Sequence, residues 1–156
     1  MMPHLGEVPP ASYIKENIAK RENQTVDKIT KTDAEWRSQL SDMAFTVLRQ
    51  HGTERAGSHD NFPQDAGIYM CAGCGAPLFE QATKFESGTG WPSFYAPLDA
   101  EFVGESVDRK FFMKRTEVHC NRCDGHLGHV FPDGPEPTGL RYCINGAALA
   151  FEPEDD

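Results

Sequence analysis

The sequence predicts a mainly β domain of antiparallel strands, sandwich- or barrel-like, behind short N-terminal helices. Three observations predict it. A helical apolar period holds from about residue 32 to Gly52 and then disappears. Short apolar or alternating runs follow, among them "GIYMC", "APLFE", "KFFMKRTEVHC", "GHVF", "LRYCIN" and "AALAF". Turns rich in Gly, Pro and Asp separate them, as in "ESGTGWPS" and "FPDGPEPTG", which is the punctuation of an antiparallel β domain.

Residues 1–30 read as a partly mobile extension, with prolines in "EVPPAS" opposing regular structure and one short helix near 13–22. The helical signal then sharpens. Thr32 and Glu35 stand at capping-box spacing, and Trp36, Leu40, Met43, Ala44, Val47 and Leu48 form a stripe that packs on the domain. Gly52 ends the run, and Ser41 is a place where it can break. Residues 31–151 form a single domain, and 152–156, "EPEDD", a solvated acidic tail.

A chain of 156 residues has room for one core, and ten Phe argue that it folds. A formal net charge of −9 opposes phosphate attraction, and no dense Lys/Arg run reverses it locally, so nucleic acid is excluded as the expected partner. The first residues lack an apolar signal-peptide core and no run is long enough to cross a bilayer, so the expectation is a soluble, cytoplasmic protein without a membrane partner. It is expected to be a monomer, because no long exposed apolar repeat offers a dimer face.

Five cysteines are an odd number, and four of them form two Cys-x-x-Cys pairs, Cys71/Cys74 and Cys120/Cys123. Each such turn brings two sulfurs close enough to share one ion, with Gly75 easing the backbone after the first pair. Four thiolates make a closed, structural site that suits one Zn2+, with iron second. The stretch from Cys74 to Cys120 is much longer than a compact ribbon spacing of roughly 15–20 residues, so the ion would join two distant hairpin ends. The competing reading makes one pair a dithiol/disulfide redox couple.

Cys143 is then left over. A free cysteine is commonly an inert small hydrophobe, but strand period two places Arg141, Cys143 and Asn145 on one face, and a cation there favours thiolate. His126 and His129 lie nearby in "GHLGHVFPDG", with Asp133 beyond; at i and i+3 they reach one site only if Gly128 permits a bulge. In "ESGTGWPSF", Gly88 and Gly90 let a loop approach something closely and present Trp91, which composition alone reads as core or as a substrate platform.

"CAGCGAPLF", "KFESGTGWPSF", "HCNRCDGHLGHVFPDGP" and "GLRYCINGAALAF", in this order, closely resemble the B-type methionine sulfoxide reductases, and "EWRSQLSDMAFTVLRQHGTERAGS" resembles that family's N-terminal helices. The resemblance covers residues 31–151. It implies two antiparallel β-sheets, a structural zinc on Cys71, Cys74, Cys120 and Cys123, and reduction of the R epimer of methionine sulfoxide, mainly within proteins. An external thiol such as thioredoxin would be the donor. By the same resemblance Cys143 is the nucleophile, passing through a sulfenic acid; His126 and His129 are the acid candidates; Asn145 orients substrate or water; Trp91 holds the ε-methyl group; Arg141 and Asp133 assist substrate binding or proton transfer.

One departure matters. Many relatives carry a cysteine in the Gly-rich turn before the Trp, which resolves the sulfenic acid as a disulfide; here that residue is Thr89. A one-cysteine cycle, regenerated by external thiol, is therefore expected. A smaller departure, Gly146 where serine is common, is expected to have little effect. The alternatives are a zinc-stabilised binding module in which Cys143 is merely buried, and a different thiol oxidoreductase using the paired cysteines.

Overall fold

The computed structural model describes residues 27–110 and 113–154. The short helix expected near 13–22 lies outside the described residues. Among the described residues two helices come first, α1 (Asp33–Gln39) and α2 (Asp42–Gln50). Thr32 and Glu35 cap α1 reciprocally, and Ser41 both interrupts the helical run and caps α2 by accepting from the Ala44 N–H. This break resets the helical phase. Trp36, Ala44, Phe45, Val47 and Leu48 are buried, whereas Met43, expected in the stripe, is 38 % exposed.

Among the described residues nine strands follow: β1 (Gly67–Cys71), β2 (Pro77–Glu80), β3 (Lys84–Phe85), β4 (Ser93–Phe94), β5 (Val103–Lys110), β6 (Met113–Cys120), β7 (His126–Phe131), β8 (Arg141–Ile144) and β9 (Leu149–Pro153). They form two antiparallel sheets, a three-stranded one in the order β2-β1-β9 and a six-stranded one in the order β3-β4-β8-β7-β6-β5. Aromatic side chains knit the sheets together. Phe79 of β2 stacks on Phe94 of β4 with ring centroids 4.4 Å apart, Tyr69 of β1 meets Phe94 edge-on at 5.0 Å, and Tyr142 of β8 tilts against Phe79.

Two boundaries differ from the sequence reading. Ile29, assigned to the extension, packs on the core, and its N–H donates to the Arg122 carbonyl at 2.7 Å. At the other end Glu152 and Pro153 belong to β9, paired with Ile68 and Gly67, so the ladder reaches two residues into the stretch read as tail. Strand β5 was not legible, because most of its described residues are exposed, Val107 by 55 %, and it shows no apolar alternation. No helix among the described residues is long and apolar enough to cross a membrane.

Candidate functional site: a four-thiol cluster and a thiol pocket

Each Cys-x-x-Cys pair ends one strand and opens a tight turn. Cys71 closes β1 and Cys120 closes β6; the Gly75 N–H donates to the Cys71 carbonyl at 2.9 Å, and the Asp124 N–H to the Cys120 carbonyl at 2.7 Å. Gly75 and Asp124 both take left-handed φ, 78° and 62°, so the expected role for the glycine holds, and its counterpart in the second turn is an aspartate. The turns bring Sγ of Cys71 to 3.7 Å from Cys123, and Cys74 to 3.5 Å from Cys120. A tetrahedral ion with bonds of about 2.3 Å holds its sulfurs roughly 3.8 Å apart, so the four fit one ion.

Because β1 and β6 belong to different sheets, an ion here would tie the two sheets together. The helices sit on the same cluster. Gln39 donates to the Gly73 carbonyl and Arg49 to the Cys123 carbonyl, each at 2.8 Å, while Trp36 and Leu48 lie against Gly73 and Gly125. Their burial thus depends on the turns the thiols shape.

The fifth cysteine faces elsewhere. On β8, Tyr142 and Ile144 point into the core between the sheets, which turns Arg141 and Cys143 to the opposite face. Cys143 pairs in register with Ser93 of β4 on one side and His129 of β7 on the other. It lines a cavity of about 130 Å³ whose walls include Trp91, Arg115, His129, Phe131 and Asn145. The thiol is thus half-buried and open to a small, partly apolar pocket.

Burial pushes the Cys143 thiol above the ordinary range, against the pull of the Arg141 guanidinium and the Thr89 hydroxyl. The cation anticipated from the sequence is present, yet desolvation outweighs it. Arg141 also donates to both oxygens of Asp133, at 2.9 and 3.2 Å, and lies over the Phe131 ring. Neither Arg141 nor Asp133 is part of the pocket wall. Alkylation of Cys143 by iodoacetamide, followed by peptide mass, should therefore accelerate with pH around a midpoint above the usual value of about 8.5, and Arg141→Met should move it higher. A midpoint well below that of an ordinary cysteine contradicts the balance described.

His126 and His129 share one face through a bulge. His119 pairs with His126 while Val118 pairs with Gly128, leaving Leu127 as the extra residue. The rings then meet edge-on with centroids 5.6 Å apart. Gly128 is needed for a second reason: a Cβ there would strike the Cys143 carbonyl of the neighbouring strand. Each imidazole is held by a carboxylate, His129 Nε2 donating to Asp108 at 3.0 Å and His126 Nδ1 to Glu117 at 2.6 Å. Arg115 donates to the same Asp108 oxygen. Burial pulls His126 below the usual imidazole range despite Glu117, so the neutral ring dominates at neutral pH.

Sequence reasoning passed over Glu54, which organises this end of the molecule. It is 1 % exposed, and its carboxylate accepts from the backbone N–H groups of Gly146 and Ala147 at 2.9 and 2.8 Å. Its carbonyl accepts from the Trp91 indole N–H at 3.1 Å, and its own N–H donates to Asn145 Oδ1 at 2.9 Å. Asn145 in turn donates to the Leu127 carbonyl, so its amide holds the segment while bordering the pocket. Nothing periodic marks "GTE" in the sequence; only its contacts identify it. Glu54→Ala should cost about 2–4 kcal/mol in a denaturant titration, because it strands two backbone donors, and should loosen Trp91.

The Gly-rich loop before Trp91 approaches the same segment. The Gly57 N–H donates to the Gly90 carbonyl at 2.7 Å, and a Cβ on Gly90 would stand 2.8 Å from that nitrogen. Gly88 and Gly90 have φ of 76° and 86°. Ser87 joins the hydroxyls of Thr89 and Ser93, each at 2.8 Å, beside the thiol. Gly146, given little weight above, matters here: any Cβ would collide with the His59 carbonyl.

The fold and this site define a two-sheet β protein with a four-thiol cluster able to hold one metal ion and a fifth thiol that borders a small pocket beside carboxylate-held imidazoles. The SelR domain family matches residues 40–153. A relative from Thiobacillus denitrificans called peptide methionine sulfoxide reductase MsrB is 58 % identical over 126 residues, covering 80 % of this chain and 96 % of its own length. Relatives of the same name from Methylibium petroleiphilum and Pseudomonas putida are 56 % and 54 % identical, covering 81 % and 82 % of this chain and 92 % and 98 % of their own. The chain belongs to the MsrB family.

Proposed function

We propose that this protein reduces the R epimer of methionine sulfoxide, mainly in oxidised proteins, with Cys143 as its one redox thiol. Family membership carries the reaction class, peptide methionine sulfoxide reduction. The single observation that supports the assignment of the thiol is that Cys143 alone stands outside the four-thiol cluster and borders the pocket that holds Trp91 and His129.

In this reading Cys143 sulfur attacks the sulfoxide sulfur while a histidine protonates the departing oxygen. The S–O bond breaks, methionine leaves, and the oxygen ends on Cys143 as a sulfenic acid. Two equivalents of external thiol, from thioredoxin or another reductant, then restore the thiol and release a disulfide and water. A histidine, His129 or His126, delivers the proton, and the hydrogen bonds from His129 to Asp108 and from His126 to Glu117 fix the orientation of each ring. Trp91 meets the ε-methyl group, Asn145 orients substrate or water at the pocket, and Arg141, paired with Asp133, supports Phe131 of the wall from outside the pocket. Thr89 leaves the sulfenic acid with no internal partner.

Zinc is the ion proposed for Cys71, Cys74, Cys120 and Cys123, where it supplies a redox-inert cross-link. Five cysteines without a disulfide among them fit a reducing compartment such as the cytoplasm, and the chain is read as a monomer. Separate assays of the R and S epimers of a sulfoxide substrate with excess dithiol test the reading: turnover confined to R supports it. No turnover in a folded, metal-loaded protein returns the chain to the binding-module reading.

A further inference from the structure

Beside the thiol pocket lies a second cavity of about 220 Å³, lined in part by His51, Asp108, Glu117, His126 and His129. Three elements converge on it. His51 caps the C-terminus of α2 with a left-handed φ of 56°, Glu117 comes from β6 and His126 from β7. One carboxylate oxygen, Glu117 Oε2, stands 2.6 Å from His126 Nδ1 and 3.1 Å from His51 Nδ1. The two rings stack with centroids 5.1 Å apart and planes 24° apart. Ser106 occupies the other oxygen, donating to Glu117 Oε1 at 2.6 Å.

We propose that His51, Glu117 and His126 form a second divalent-cation site, separate from the four thiols, that takes zinc. Two imidazoles and a carboxylate are a donor set for this ion, and their ligating atoms all lie within 4.8 Å of one another. A tetrahedral ion with bonds of roughly 2.0–2.2 Å needs ligands about 3.3–3.6 Å apart, so modest ring movements close the site. The ion replaces the proton that His126 and Glu117 share, and the open cavity leaves its fourth position to water. The Ser106 hydroxyl orients the carboxylate as an outer partner of a metal ligand does. His51 supplies the access route, since its side chain is 63 % exposed.

Such an ion would engage His126 and act as a reversible brake, a consequence that rests on the proposed catalytic reading; the binding itself does not. Equilibrium dialysis of the holoprotein against zinc tests the site. Bound zinc should rise from one equivalent to two in wild type and in Cys143→Ser, whereas His51→Gln should weaken the second ion by about 10–100-fold or more. Cobalt at the second site should give weak visible bands without thiolate charge transfer. Zinc should inhibit wild type reversibly, and much less so His51→Gln. Failure to take up a second ion, its retention by His51→Gln, or its loss in Cys143→Ser overturns the site. A protein inactive on sulfoxides that still takes the second ion through His51 overturns the catalytic reading alone.

Discussion

Cys143→Ser is expected to abolish sulfoxide reduction, by on the order of 10⁴-fold or more, while leaving the fold and the four-thiol metal in place. The exchange swaps one half-buried atom on a strand whose neighbours, Ser93 and His129, are fixed by backbone pairing. A hydroxyl accepts the same Thr89 contact but is a far weaker nucleophile at neutral pH. Turnover with excess dithiol, circular dichroism and metal content, measured together, separate a chemical loss from a structural one. A variant with near wild-type turnover would sink the assignment of the thiol.

Removing the metal should have the second large effect, on stability. Four-thiolate zinc contributes about 10–16 kcal/mol in small metal-dependent folds, as much as the roughly 5–15 kcal/mol that holds a whole domain together. Here the ion would join the β1–β2 turn of one sheet to the β6–β7 turn of the other, beneath Trp36 and Leu48. A strong chelator, or Cys120→Ser, should therefore unfold the chain cooperatively and expose Trp36. A metal-free protein with an unchanged thermal transition would point instead to a dithiol redox pair.

What the sequence made legible follows from local rules. The capping box at Thr32, the two Cys-x-x-Cys turns and the alternation of β8 are written within a few residues, and the structure places them as read. Cys143, Trp91, His129 and Asn145 come together at one pocket, with His126 behind. Non-local features were hidden. Glu54 looks like any surface glutamate until the chain brings it under Gly146, Ala147 and Trp91. Strand β5 is polar along much of its length because it is the outer strand of its sheet, so no period betrays it. The electrostatic sign at Cys143 was equally out of reach, since the cation is written in the sequence and the burial that outweighs it is not.

In the proposed cycle one thiol, Cys143, carries the whole oxidation. The most direct test of this cycle is the mass of the enzyme after exposure to methionine sulfoxide without reductant, read at the level of the Cys143 peptide. One methionine released per enzyme and one added oxygen, trapped on Cys143 by a sulfenic-acid reagent, are expected, with the four paired cysteines unchanged. A disulfide joining Cys143 to any other cysteine of the chain would contradict the cycle.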